Sequence, residues 1–182
     1  MNRYSTIILA ALFVAAASAS AFAQQAQPGG APQNANPMIA ELKQMYTTIK
    51  NNQTKMAEKM PEENYSFKPT PEMQSFGERI SHVANQIGTC SGMTGERKPN
   101  PAQGKTAKAD IVSALKASFD ACDAAWESMN DKTSVEMMAG RGGQVSKLST
   151  LIRNNMHDQE MYGYLSPYMR LKGVVPPTSD RM

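Results

Sequence analysis

Four stretches of this chain space their apolar side chains three, four and seven residues apart, and a chain patterned this way buries them by packing helix on helix. The first runs from Met38 to about Met60 and carries Ile39, Leu42, Tyr46, Ile49, Met56 and Met60 on one stripe, with Pro61 ending it. The second carries Phe76, Ile80, Val83, Ile87 and Cys90 and ends near Ser91-Gly92. Its start, Ser75-Phe76-Gly77-Glu78, has the spacing of a capping box. The third, from about Ala107 to Met129, places Ile111, Leu115, Phe119, Cys122, Trp126 and Met129 together. The fourth spans roughly Gln144 to Leu171, with Val145, Leu148, Ile152, Gln159 and Tyr162 near one stripe. Gly173 caps it and Pro176-Pro177 forbids its continuation. Nothing alternates with period two, so the predicted fold is an all-α four-helix bundle.

The connections are less uniform. PEENYSFKPTP follows the first helix, with Tyr65 and Phe67 as apolar plugs for the bundle end. Residues 93–105 form a long polar loop, which leaves the helix order open between a simple up-down arrangement and a crossover. Val135 to Gly143 reads as an irregular connection punctuated by Gly140, Gly142 and Gly143.

The bundle is expected over residues 38–179. Ahead of it, Arg3 precedes an Ala-rich apolar run from Ile7 to Ala21 that closes on Ala21-Phe22-Ala23. That is the pattern of a signal peptide over residues 1–23, cleaved after Ala23, and it predicts a periplasmic or secreted protein with no stable membrane anchor. Residues 24–37 carry almost nothing apolar beyond alanine and read as a flexible leader. Cleavage leaves 18 basic against 16 acidic residues, a net charge of +2 that favours no charged partner. No basic cluster with interleaved aromatics occurs, so nucleic-acid binding has no footprint.

Few residues could carry chemistry. There is no nucleophile elbow, no HExxH and no phosphate loop; Gly140-Arg141-Gly142-Gly143 lacks the Lys-Ser/Thr such a loop needs and reads as a hinge. Cys90 and Cys122 lie on the apolar stripes of neighbouring helices, and export favours a disulfide over two buried thiols. The mature chain has 13 methionines, which either fill the core or, in an exported protein, handle Cu(I). His82 and His157, the two histidines, each border an apolar stripe. Such a position suits a ligand facing a cleft between helices, and equally a histidine at the edge of the core.

Two longer stretches bear on that choice. Residues 69–82, PTPEMQSFGERISH, and the run His157-Asp158-Gln159-Glu160-Met161-Tyr162-Gly163 with its continuation Tyr168 to Ser179 resemble the DinB-like family. The helical spacing and loop pattern from Pro37 to Ser179 agree as well. The resemblance implies a four-helix bundle holding a divalent metal on three histidines, one on the second helix and two at i, i+4 on the last. His82 matches the first ligand and His157 the second, but Met161 stands in the third position. The implied site is partly degenerate. It has lost firm metal binding, or it is rescued by a carboxylate with Glu160 as helper, or it is a His/His/Met copper site.

Zn²⁺ or Ni²⁺, with copper less favoured, is the expected ion, held weakly or not at all. The resemblance also implies metal-dependent transferase or hydrolase-like chemistry in some members. The alternative is a non-catalytic binding or stress-related bundle. Family members often form homodimers, although the stripes read here are used up by the core. Neither a catalytic residue nor a small-molecule ligand follows from the sequence.

Overall fold

A computed structural model describes residues 36–140 and 142–180, and the predicted signal peptide and most of the predicted leader lie outside them. The chain folds mostly into helices. The long ones are α1 (Pro37–Lys59), α4 (Lys108–Glu127) and α6 (Lys147–Leu171); α2 (Phe76–Ala84) and α3 (Ile87–Thr94) follow one another closely, and α5 (Asp131–Ser134) is a single turn. Short 3₁₀ turns stand at Glu62–Asn64 and Pro177–Ser179. A two-stranded antiparallel hairpin, β1 (Met137–Gly140) and β2 (Gly143–Ser146), precedes α6.

The hairpin corrects the sequence reading, which had an irregular connection here and counted Gln144 to Ser146 into the last helix. Met138 pairs with Val145 across the hairpin, and these are the two apolar side chains that turn inward. Gly140 pairs with Gly143, whose positive φ of 126° is open to glycine. A Cβ on Gly140 would stand 2.8 Å from Val145 Cγ2. With so few residues the period-two signal is a single pair, too short to register against the helical pattern around it. Ser146 then caps α6, its hydroxyl accepting from the Ser149 amide at 3.2 Å.

The second predicted helix is divided. Its chain tightens at Asn85 and Gln86 into i→i+3 bonds, from the Asn85 amide to the His82 carbonyl and from the Gln86 amide to the Val83 carbonyl. Asparagine is a weak helix former and marks the place. The predicted capping box forms at the start of α2: the Glu78 amide donates to Ser75 Oγ, and the Ser75 amide donates to the Glu78 carboxylate. At the far end of the domain the Gly173 and Val174 amides close onto the Arg170 and Met169 carbonyls, a Schellman stop for α6.

The core is the one the first three stripes described. Ile49, Met56, Met60, Phe76, Ile80, Leu115, Phe119 and Trp126 are buried in one cluster, with Tyr65 wedged against Phe76. Gly77 makes that wedge fit, because a Cβ there would lie 3.2 Å from the Tyr65 carbonyl and 3.3 Å from Ile111 Cδ1. Cys90 and Cys122 are disulfide-bonded, tying α3 to α4.

On α6 the predicted stripe is turned by one residue. The buried positions are Leu151, Asn155, Asp158, Met161, Tyr162, Leu165, Tyr168 and Met169. The periodicity had selected Ile152, which is half-buried, and Gln159, which is exposed. Two polar residues on the true inner face drew the stripe aside.

Candidate metal centre

The seam between α2 and α6 is read from its side-chain pairs. Asn154 of α6 meets Gln86 just beyond α2, His157 meets His82, and Tyr168 meets Arg79. Residue numbers rise on one helix as they fall on the other, so the two run antiparallel. The capping box fixes where α2 begins and therefore which side of it His82 occupies.

His82 Nε2 and His157 Nε2 lie 3.0 Å apart, with ring planes at 80°. That is hydrogen-bond distance; an ion about 2.1 Å from each nitrogen would subtend roughly 90° there, and a tetrahedral one would need the rings to part by a few tenths of an ångström. Burial is the main effect pushing the His82 pKa down, with the nearby charges of His157 and Arg79 adding to it. At neutral pH His82 is then the uncharged imidazole that a metal requires.

Glu160 stands on the other side of the His157 ring, its Oε2 3.3 Å from Nδ1. Its Oε1 accepts from the Tyr164 hydroxyl at 3.3 Å. A proton held on Nδ1 toward Glu160 leaves the Nε2 lone pair directed at His82. Glu160 therefore orients the imidazole and does not sit beside Nε2 as a third donor.

Met161 is only 5 % exposed and packs in the core cluster. Asp158, adjacent to His157, turns inward as well. Its two carboxylate oxygens are buried without a hydrogen-bond partner, and burial raises its pKa well above the usual carboxylate range. Among the described residues no three His, Cys, Asp or Glu side chains converge as a metal set. The residues present thus offer an ion two imidazoles and no hard third donor.

Three residues of this region escaped the sequence reading. Arg79 lies one turn before His82, and Tyr164 links it to Glu160. Gln53 of α1 is fully buried and donates through Nε2 to the Asp158 carbonyl at 2.8 Å. Its signal was available: the α1 stripe runs from Ile49 to Met56 with a polar residue at the position between them. Met56 and Met60 are fully buried, as core filling requires.

Residues 45–165 match the model of the DinB superfamily. A search of the curated proteins finds no match. Among solved structures, a DinB-like protein from Bacillus cereus ATCC 10987 is 21 % identical with a TM-score of 0.64, over 76 % of this chain and 95 % of that one. A DinB-like protein from Bacillus subtilis is also 21 % identical, with a TM-score of 0.62, over 78 % and 99 %. A mycothiol-dependent maleylpyruvate isomerase is 16 % identical with a TM-score of 0.53, over 72 % of this chain and 65 % of that one. At these identities the likeness establishes the fold.

Proposed function

This chain belongs to the DinB superfamily, and from that premise we propose that His82 and His157 form an open, low-affinity divalent-metal site serving hydrolase-like or transferase-like chemistry. The observation that carries this is the 3.0 Å approach of the two Nε2 atoms from separate helices. The two rings come from separate helices, and Glu160 stands 3.3 Å from His157 Nδ1, where it can accept that nitrogen's proton and steady the ring. A bound ion supplies Lewis acidity, lowering the pKa of a water or thiol. The protein's own part is to orient the imidazoles and keep His82 uncharged. Met161 packs in the core and supplies no hard donor, so the site retains Zn²⁺ or Ni²⁺ more weakly than three imidazoles would.

The protein acts outside the cytoplasm in this reading. The signal-peptide pattern of residues 1–23 and the Cys90–Cys122 bond support it. Thiol cofactors of the cytoplasm are then scarce, and water becomes the favoured nucleophile.

Metal content of protein isolated from the periplasm, followed by calorimetric titration with Zn²⁺, Ni²⁺ and Cu(I), tests the proposal. We expect one weak site, lost in His82→Ala and in His157→Ala. Met161→His should tighten it about tenfold or more, the order expected when a missing metal contact is restored. A wild-type protein without affinity and a Met161→His variant without gain would instead make a non-catalytic bundle the leading account. A site that prefers Cu(I) and collapses on Met161→Leu would identify a copper binder.

A further inference from the structure

Arg79 projects from α2 toward the C-terminal half of α6, where two tyrosines hold it. Its guanidinium carbon lies 5.1 Å from the Tyr164 ring centre and 6.0 Å from that of Tyr168. Its Nε donates to the Tyr168 hydroxyl at 3.1 Å. That hydroxyl in turn donates to the Gln74 carbonyl at 2.9 Å, and Tyr168 is itself 1 % exposed. The guanidinium is thereby fixed by a buried ring, at its Nε edge and across its face.

What remains is the edge formed by the two Nη groups. Among the described residues Arg79 makes no ion pair and no hydrogen bond beyond the one from Nε. Glu160, which Tyr164 links to this side, is already engaged by His157 and by the Tyr164 hydroxyl. Arginine fixed in orientation, half-buried and without an anion of its own is the arrangement that recognises a planar oxyanion through two parallel N–H bonds.

Its position relative to the histidines sets the scale. Arg79 precedes His82 by three residues on α2, about 4.5 Å along the axis, and Tyr164 follows His157 by seven on α6, about 10 Å, so the guanidinium and the imidazole pair lie within the span of one small molecule. Tyr168, Arg79, Tyr164, Glu160, His157 and His82 follow one another as one chain of contacts along the seam.

We infer that Arg79 is the anion-recognition residue of this site, taking the carboxylate of a small molecule whose reacting end reaches the His82–His157 pair. The inference rests on the proposed reading of that pair, but anion binding is measurable without metal. The tyrosines select Arg79's orientation and its Nη edge selects the ligand. A planar carboxylate matches the fork in both oxygens, whereas a tetrahedral phosphate is the competing oxyanion.

The experiment is a titration of the full mature protein with succinate and, separately, inorganic phosphate at constant ionic strength. The Arg79 Nε–H and Tyr164 ring resonances are followed by NMR. Saturable shifts with succinate, tighter than with phosphate, are expected. Affinity should fall about tenfold or more in Arg79→Gln and less in Arg79→Lys, which keeps the charge and loses the fork. Succinate binding should persist in the wild-type protein after chelator has removed any metal, which separates this inference from the function it rests on. Shifts that never saturate, or that match chloride, would overturn it in the wild-type protein alone, whatever the variants' folding. Preference for phosphate would overturn the carboxylate assignment, and unchanged succinate affinity in Arg79→Gln would remove Arg79 from the site.

Discussion

The α3–α4 seam and the α2–α6 seam hold the same bundle by different means. Between α3 and α4 the joint is covalent and apolar: Cys90 bonded to Cys122, all buried, with Leu115 and Phe119 on the same inner face of α4. Between α2 and α6 the joint is polar and half-open, made of His82 with His157, Arg79 with Tyr168, and Gln86 with Asn154. Apolar burial and a cross-link are indifferent to protonation, and they stabilise without asking for an exact partner. Imidazoles, a guanidinium and a carboxylate contribute little net stability at such exposure but place reactive atoms. One seam keeps the shape and the other holds the polar groups on which the proposed chemistry rests.

The comparison breaks most visibly if the disulfide is removed. Cys90 and Cys122 are 32 residues apart, a loop whose closure is worth about 3–4 kcal/mol in the chain-entropy account. Cys90→Ala with Cys122→Ala should lower Tm by about 10 °C in a calorimetric scan. Metal affinity of the folded fraction should stay as it was. A loss of affinity with the disulfide would mean the seams are not separate.

Gly77→Ala should disturb the seat of α2 on Tyr65 and α4, and through it the α2–α6 seam. The added Cβ meets the Tyr65 carbonyl at 3.2 Å, a backbone atom that cannot swing aside. An overpacking cost of about 1–3 kcal/mol is expected by denaturant titration. Because α2 must shift, the His82–His157 approach should loosen and metal affinity fall with it.

Asp158→Asn sharpens the contrast by pH. The Asp158 pKa is raised by burial, so below its unfolded value of 3.8 both states are protonated and no penalty exists. Above that pH the unfolded chain releases the proton and the folded one retains it, so wild-type stability declines as pH rises until the folded pKa is passed. The variant escapes this decline. Its advantage in urea unfolding should be absent near pH 3 and grow toward neutrality; an advantage that is flat with pH would contradict it.

The smallest stability effect belongs to the residue with the largest expected functional one. His82→Ala should change stability by no more than about 0.5 kcal/mol, as for a partly exposed side chain outside the core, while abolishing metal uptake.

The sequence made one seam far more legible than the other. Apolar side chains at helical spacing gave α1, α4 and the α2–α3 stretch directly, because burial and periodicity are the same fact seen twice. The Ser75–Glu78 cap and the Gly173 stop were readable because each residue type satisfies a specific orphan group. On α6 the rule failed, since Asn155 and Asp158 are polar and buried, and the stripe was drawn through Ile152 and Gln159 instead. The histidines could be named from the sequence, but their approach depends on which face each helix turns inward. Arg79 gave no signal at all, because its partners Tyr164 and Tyr168 lie 85 and 89 positions away.

The tightened turn at Asn85 and Gln86 has a consequence for how such a protein ages. A one-residue rotation of a continuous helix would swing His82 and Cys90 together through about 100°, so an error at either would be inherited by both. The tightened turn makes the stretch two shorter pieces, each free to settle its own azimuth. Substitutions can then accumulate around the histidines while the cystine end stays put. A lineage built this way can change residues along the α2–α6 seam and still hand down an intact fold on which a new use can be tried.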